Sequence, residues 1–209
     1  MQIKICGMRE AGNLWAVADL SPDFLGFIFY KKSTRYVGDT LDPEQLRSLP
    51  QAICKVGVFV DEPLDNLQII NCKYTLDYVQ LHGHETPAYC EQAKARGLHL
   101  IKAFAVDSTF DFGQLAAYSP VCDLFLFDTK GDLPGGNGVA FDWSVLAGYT
   151  GPTPFLLSGG LGLNNLSAML AFQHPQLAGF DLNSQLEAAP GLKDVATTRE
   201  LLQHLHTHN

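Results

Sequence analysis

No stretch of this 209-residue chain approaches the length of uninterrupted apolar sequence needed to span a bilayer. The opening MQIKICGMRE has no long apolar run after its charges, so a secretory signal is not expected and the cytoplasm is the expected location. The five cysteines (Cys6, Cys54, Cys72, Cys90, Cys122) are odd in number and include no CxxC pair, which argues against a disulfide framework and a zinc ribbon. Basic residues are scarce. Fourteen Lys and Arg against 22 Asp and Glu give a formal net charge of −8, and no basic stripe is present, so no nucleic-acid partner is expected. Low-complexity tracts and linker-like segments are missing too, and one domain over 1–209 is the expectation.

What is present is an alternation. Short apolar, β-rich runs occur at 3–6, 24–30, 54–60, 77–83, 99–106, 122–128, 154–160 and 179–184. Stretches suited to helices lie between them, at 10–20, 42–49, 86–97 and 163–172, with a last one at 194–206 that Asp194 is placed to cap. The helical pattern is faintest after the third, fifth and sixth runs. Several runs are almost continuously apolar, as parallel strands covered on both faces require. Eight strand–helix units in about 200 residues point to an α/β fold, a single (β/α)₈ TIM barrel. A doubly wound open sheet is the rival, but the GMREAG turn after the first run lacks GxGxxG spacing.

In such a barrel, chemistry sits at the C-terminal ends of the strands. The runs end in Cys6, in Gln80 and His82, in Asp128, in Ser158-Gly159-Gly160, and in Asp181 followed by Asn183 and Ser184. Lys4 shares a strand face with Cys6; if it points inward it needs a carboxylate. Cys6 and Asp128 form a candidate acid/base pair. Nearby cations bring a thiolate within reach at neutral pH, and a partly desolvated aspartate can hold a proton to donate. A buried structural thiol and a helix-capping aspartate are the alternatives. SGGLG after the seventh run reads as a phosphate cradle or as a plain turn. Arg35 reads as a carboxylate clamp or as a solvated loop charge, and His82 as an ordinary hydrogen-bonding residue.

The motifs KICGM (4–8), LGFIFYKKSTRYV (25–37), KVGVFVDE (55–62), VQLHGHE (79–85), DTKGDLPGGNGVAFDW (128–143), PFLLSGGLGLNNL (154–166), GFDLNSQLE (179–187) and PGLKD (190–194) occur in that order. Through them the sequence resembles the phosphoribosylanthranilate isomerases along almost its whole length. The resemblance implies a tryptophan-biosynthetic enzyme. It would convert N-(5-phosphoribosyl)anthranilate to 1-(2-carboxyphenylamino)-1-deoxyribulose 5-phosphate by an Amadori rearrangement. It implies Cys6 as general base, Asp128 as general acid and Arg35 on the anthranilate carboxylate. Gly159, Gly160, Asn183 and Ser184 fall in the phosphate region, and Gln80, His82 and Asp181 in the pocket. No metal or cofactor is implied, because an iminium intermediate is its own electron sink. The partner is a small phosphorylated substrate, and the assembly a monomer or homodimer. Two departures stand out: Gln185 replaces a glycine beside the phosphate region, and Asn137 and Val139 differ in the sixth loop. Another phosphosugar isomerase, or a non-catalytic phospho-ligand binder on the same barrel, is the alternative reading.

Overall fold

The computed structural model of the protein describes residues 1–38, 41–129 and 143–207. Asn137 and Val139 lie outside the described residues. Eight parallel strands close into one barrel in sequence order: β1 (Gln2–Ile5), β2 (Phe24–Ile28), β3 (Cys54–Phe59), β4 (Tyr78–Leu81), β5 (Leu100–Val106), β6 (Leu124–Thr129), β7 (Phe155–Ser158) and β8 (Leu177–Leu182). Closure is made where β1 pairs with β8, with Lys4 opposite Asp181 and Ile5 opposite Leu182. A closed ring leaves no strand edge unpaired.

Alternation along the strands separates two cores. Phe24, Val56, Ile101, Ala103, Leu124, Leu126 and Leu156 pack together as the barrel filling. Their neighbours, including Leu25, Phe27, Phe59, Leu81, Phe125 and Leu157, pack outward against the helical layer. Each such side chain contributes roughly 1.5–3 kcal/mol on full burial.

The covering layer is uneven. The helix α1 spans Ala11–Ala18, and α2 (Pro43–Arg47) starts on Asp42, whose carboxylate accepts from Glu44 N. After β3, where the sequence pattern is faint, α3 runs a full Leu64–Tyr74 and ends at Thr75 with φ +49°. The helix α4 (Pro87–Ala95) is capped by Thr86, with proline in its first turn. After β5 and β6 the helical elements among the described residues are 3₁₀ turns, at Phe112–Ala117 and Trp143–Gly148. Aromatic rings do the covering there. Phe127 and Phe155 have centroids 4.7 Å apart, and Phe104 and Tyr118 meet edge to face at 5.1 Å. A 3₁₀ turn at Leu163–Asn165 leads into α5 (Leu166–Ala171), and α6 (Val195–Thr207) closes the ring of helices. Asp194 caps α6 as expected, accepting from Thr197 N at 2.9 Å. One element was not anticipated. After β8 the chain forms a small antiparallel hairpin of β9 (Glu187–Ala189) and β10 (Leu192–Lys193), turning at Gly191 with φ +82°.

The rim at the start of the strands is stitched by aspartates. Asp23, Asp77 and Asp123, just before β2, β4 and β6, each accept from the backbone N–H of a residue on the preceding strand: Ile3, Lys55 and Leu100, all at 2.7 Å. Polar side chains at this end serve stability. The opposite rim carries the site.

Candidate active site

The inward rows of the strands continue past the apolar filling into a cavity of about 190 Å³. Cys6, Ile28, Val58, His82, Asp128 and Ser158 end those rows and line it. The ten residues singled out in the sequence, contributed by strand ends and loops around the barrel, all open on this one space. Cys6 and Asp128 therefore share it, β1 and β6 being separated in the ring by β7 and β8.

Cys6 follows β1 directly. Its N–H continues the ladder to Leu182 O at 2.8 Å, and it is 4% exposed. The first expectation to change concerns its ionisation. Burial pushes the thiol above its ordinary value; Lys4 and Lys193 pull it down, Asp181 pushes it up, and the net direction is upward. Cations are present as expected, but desolvation outweighs them. Gly26 on β2 makes the room: a Cβ there would stand 2.8 Å from Cys6 Sγ and 3.1 Å from Lys4 Nζ.

Lys4 does point inward, and it has its carboxylate. Its ammonium is 2.8 Å from Asp181 Oδ1, with side-chain exposures of 0% and 5%. Burial alone would lower the ammonium, but Asp181 and Cys6 more than offset it, so Lys4 is held charged. Asp181 thus neutralises the cation beneath Cys6 while lining the cavity.

Across the barrel, Gln80, His82 and Asp128 form a line. Gln80 Nε2 is 2.9 Å from His82 Nδ1, and His82 Nε2 is 3.6 Å from Asp128 Oδ2. With the amide donating to Nδ1, the imidazole proton sits on Nε2 and faces the aspartate. Gln80 is 1% exposed, and its buried Oε1 has no partner among the described residues.

The β7–α5 loop places Gly159 at φ +107° and Gly160 at φ +64°, conformations that L side chains resist. Asn165 braces it, accepting from Gly162 N at 2.9 Å and donating to Gly160 O at 3.0 Å. Gln185 sits in a 3₁₀ turn at Ser184–Leu186 and is not among the positive-φ residues. The turn therefore does not require glycine there. The space is supplied opposite, since a Cβ at Gly162 would stand 2.7 Å from Gln185 Cβ.

Arg35 is not a freely solvated loop charge. Its Nε lies 2.8 and 2.9 Å from the two carboxylate oxygens of Glu187, and its Nη2 lies 2.6 Å from Oε2. Glu187 takes the Nε–Nη2 side of the guanidinium, leaving the end-on Nη1–Nη2 edge without a hydrogen bond among the described residues. Lys193 Nζ, at 0% side-chain exposure, is 2.9 Å from Glu187 Oε1. Sequence reasoning gave Glu187 and Lys193 no role. Both fall inside motifs, but the hairpin that folds them back over Arg35 is not visible as a strand pattern.

Comparison with known proteins bears on what this cleft does. The family model for N-(5'-phosphoribosyl)anthranilate (PRA) isomerase matches residues 3–204. The N-(5'-phosphoribosyl)anthranilate isomerase of Phocaeicola vulgatus is 45% identical over 205 residues, covering 98% of each chain. The crystal structure of phosphoribosyl anthranilate isomerase from Thermotoga maritima superposes with a TM-score of 0.84 at 30% identity, covering 99% of both chains. Another solved isomerase holds reduced 1-(o-carboxyphenylamino)-1-deoxyribulose 5-phosphate, with a TM-score of 0.81 at 28% identity over 99% of both chains.

Proposed function

Because this chain belongs to the N-(5'-phosphoribosyl)anthranilate isomerase family and is an isomerase of tryptophan biosynthesis, we propose that its reaction is divided between Cys6 as base and Asp128 as acid. The single observation that carries this division is that a buried sulfur from β1 and a carboxyl group from β6 line one cavity.

Protonated Asp128 gives its proton to the ring oxygen of the furanosylamine. The C1′–O bond breaks and the nitrogen lone pair forms an iminium. The Cys6 thiolate then takes the proton from C2′, and the electron pair neutralises the iminium to give an enolamine. Proton transfer from the 2′-hydroxyl and to C1′ yields the aminoketose. A resting thiol held above its ordinary value is suited to this order, because the cationic iminium favours the thiolate when it is needed. Acid and base assistance contribute on the order of 10²–10⁴-fold each.

Two anchors orient the substrate. The free edge of Arg35 suits the anthranilate carboxylate. Gly159, Gly160, Asn183 and Ser184 suit the phosphate, with backbone that glycine leaves open to approach. Gln80 Oε1 is an acceptor for a sugar hydroxyl. The reading extends to a single barrel domain over 1–209, acting in the cytoplasm on a phosphorylated small molecule, as a monomer or homodimer and without nucleic acid. The net charge of −8 supports the last point. Among the described residues, no helix is long and apolar enough to cross a membrane.

The test is kinetic. Cys6→Ser and Asp128→Asn each lose at least about a hundredfold in kcat while circular dichroism and melting stay native. Near-native turnover in either folded variant would refute the division of roles.

A further inference from the structure

The side chains that surround Arg35 do more than hold it. Glu187 carries a bidentate Arg35 on one side, and on the other its Oε1 accepts from Lys193 Nζ at 2.9 Å and from Gly191 N at 3.1 Å. Lys193 then reaches the β8 loop, donating to Asn183 Oδ1 at 2.8 Å and to Asn183 O at 3.2 Å. An ammonium has three protons, and these three acceptors use them all. The Lys193 backbone is fixed in turn from α1, where Asn13 Nδ2 donates to Lys193 O and Asn13 Oδ1 accepts from Lys193 N, both at 2.8 Å. Gly7, with φ +77°, lets the pieces close up: a Cβ there would stand 2.7 Å from Asn183 Oδ1 and 3.0 Å from Arg35 Cδ.

The chain of contacts runs Arg35–Glu187–Lys193–Asn183, and both of its end members line the cleft. Its charges sum to one surplus positive, from two cations and one carboxylate. Glu187 is held below the usual carboxylate range: burial pushes it up, but its bonds to Arg35 and Lys193 outweigh that. Burial pulls the Lys193 ammonium below its ordinary value and Glu187 offsets this in part, so each partner favours the charged form of the other. Glu187 and Lys193 are buried and every Lys193 proton is bonded, so this part of the network has few alternative arrangements and displacing one member displaces the next.

We infer that Glu187 and Lys193 are positioning residues that join the carboxylate anchor and the phosphate loop into one device, so that filling the phosphate end pre-organises Arg35 for the carboxylate end. This rests on the reading of Arg35 and of Asn183–Ser184 given above. The coupling is reciprocal by linkage. Its sign is diagnostic, because two anions in one cleft repel each other and would otherwise bind with negative coupling.

The experiment is calorimetric titration of the full chain with 2-aminobenzoate, with and without saturating inorganic phosphate, on wild type, Lys193→Met, Glu187→Gln and Arg35→Ala. In wild type, phosphate tightens 2-aminobenzoate by about fivefold or more, the lower end of ordinary allosteric coupling. In Lys193→Met and Glu187→Gln the enhancement disappears. Kinetically, Glu187→Gln lowers kcat/KM about tenfold, and the same change adds nothing in an Arg35→Ala background, because it acts through the guanidinium. A merely structural residue would lose activity in both backgrounds. Undiminished coupling in the folded variants, absent coupling in wild type, or an additive double mutant overturns the inference. If Lys193→Met fails to fold, the near-isosteric Glu187→Gln decides alone. Unchanged 2-aminobenzoate affinity in Arg35→Ala would instead overturn the anchor reading on which the inference stands.

Discussion

Lys4 Nζ lies 2.8 Å from Asp181 Oδ1 inside the barrel, on the two strands that close the ring and directly beneath the thiol that serves as base in the proposed mechanism. Two opposite charges are buried at the boundary between the apolar filling and the cavity. Such a pair is costly to bury, and it is costlier to break than to replace.

Asp181→Ala leaves a buried ammonium unpaired and destabilises the fold by roughly 3–5 kcal/mol. Lys4→Met with Asp181→Leu removes both charges and recovers much of that loss. Urea unfolding of Asp181→Ala and of the double variant measures it. A double variant no more stable than Asp181→Ala would show that the pair is not an isolated electrostatic unit. Because Asp181 also lines the cavity, the comparison is of stability and not of turnover.

The same pair tunes Cys6. Ultraviolet thiolate absorbance, taken as wild type minus Cys6→Ser, should titrate with a midpoint above that of an ordinary cysteine in the free enzyme, since burial outweighs the cations. Lys4→Met moves the midpoint further up by removing a cation; Asp181→Asn moves it down by removing an anion. The linked stability follows the same sign. A thiol raised in the folded state resists ionisation there, so its contribution is full below the unfolded value and is lost as pH rises through the folded one. A midpoint near pH 7 would mean that Lys4 and Lys193 dominate burial after all.

Gly162 and Gln185 are complementary. Gly162→Ala puts a Cβ about 2.7 Å from Gln185 Cβ, pushing the β7 and β8 loops apart where the phosphate is proposed to bind. The expected outcome is a KM raised about tenfold with kcat changed less, the signature of lost uniform binding. Gly162→Ala combined with Gln185→Gly restores KM. The backbone of Gly162 is extended, with φ −176°, so alanine brings no strain of its own there. Failure of the double variant to recover would place the fault elsewhere in the loop.

The order of the strands, the inward-facing rows and the residues at their C-terminal ends were legible in the sequence. Parallel strands covered on both faces read as apolar runs, and a period of two carries each row upward from Val56 to Val58 or from Leu126 to Asp128. Those constraints are local, and eight of them at regular spacing leave little but a closed barrel. The cap at Asp194 was legible for the same reason, being a contact between residues three apart. Tertiary structure alone decided the rest. The long helix after β3 and the aromatic cover beside the 3₁₀ turns that follow β5 and β6 depend on packing partners far along the chain. So does the ionisation of Cys6, where burial, which no motif records, reverses the direction that nearby cations suggest. Glu187 and Lys193 acquire their meaning only when the β9–β10 hairpin brings them to Arg35, some 150 residues earlier in the chain: a bidentate ion pair across that separation leaves no periodicity to read, because its energy comes from distance and desolvation in the folded state.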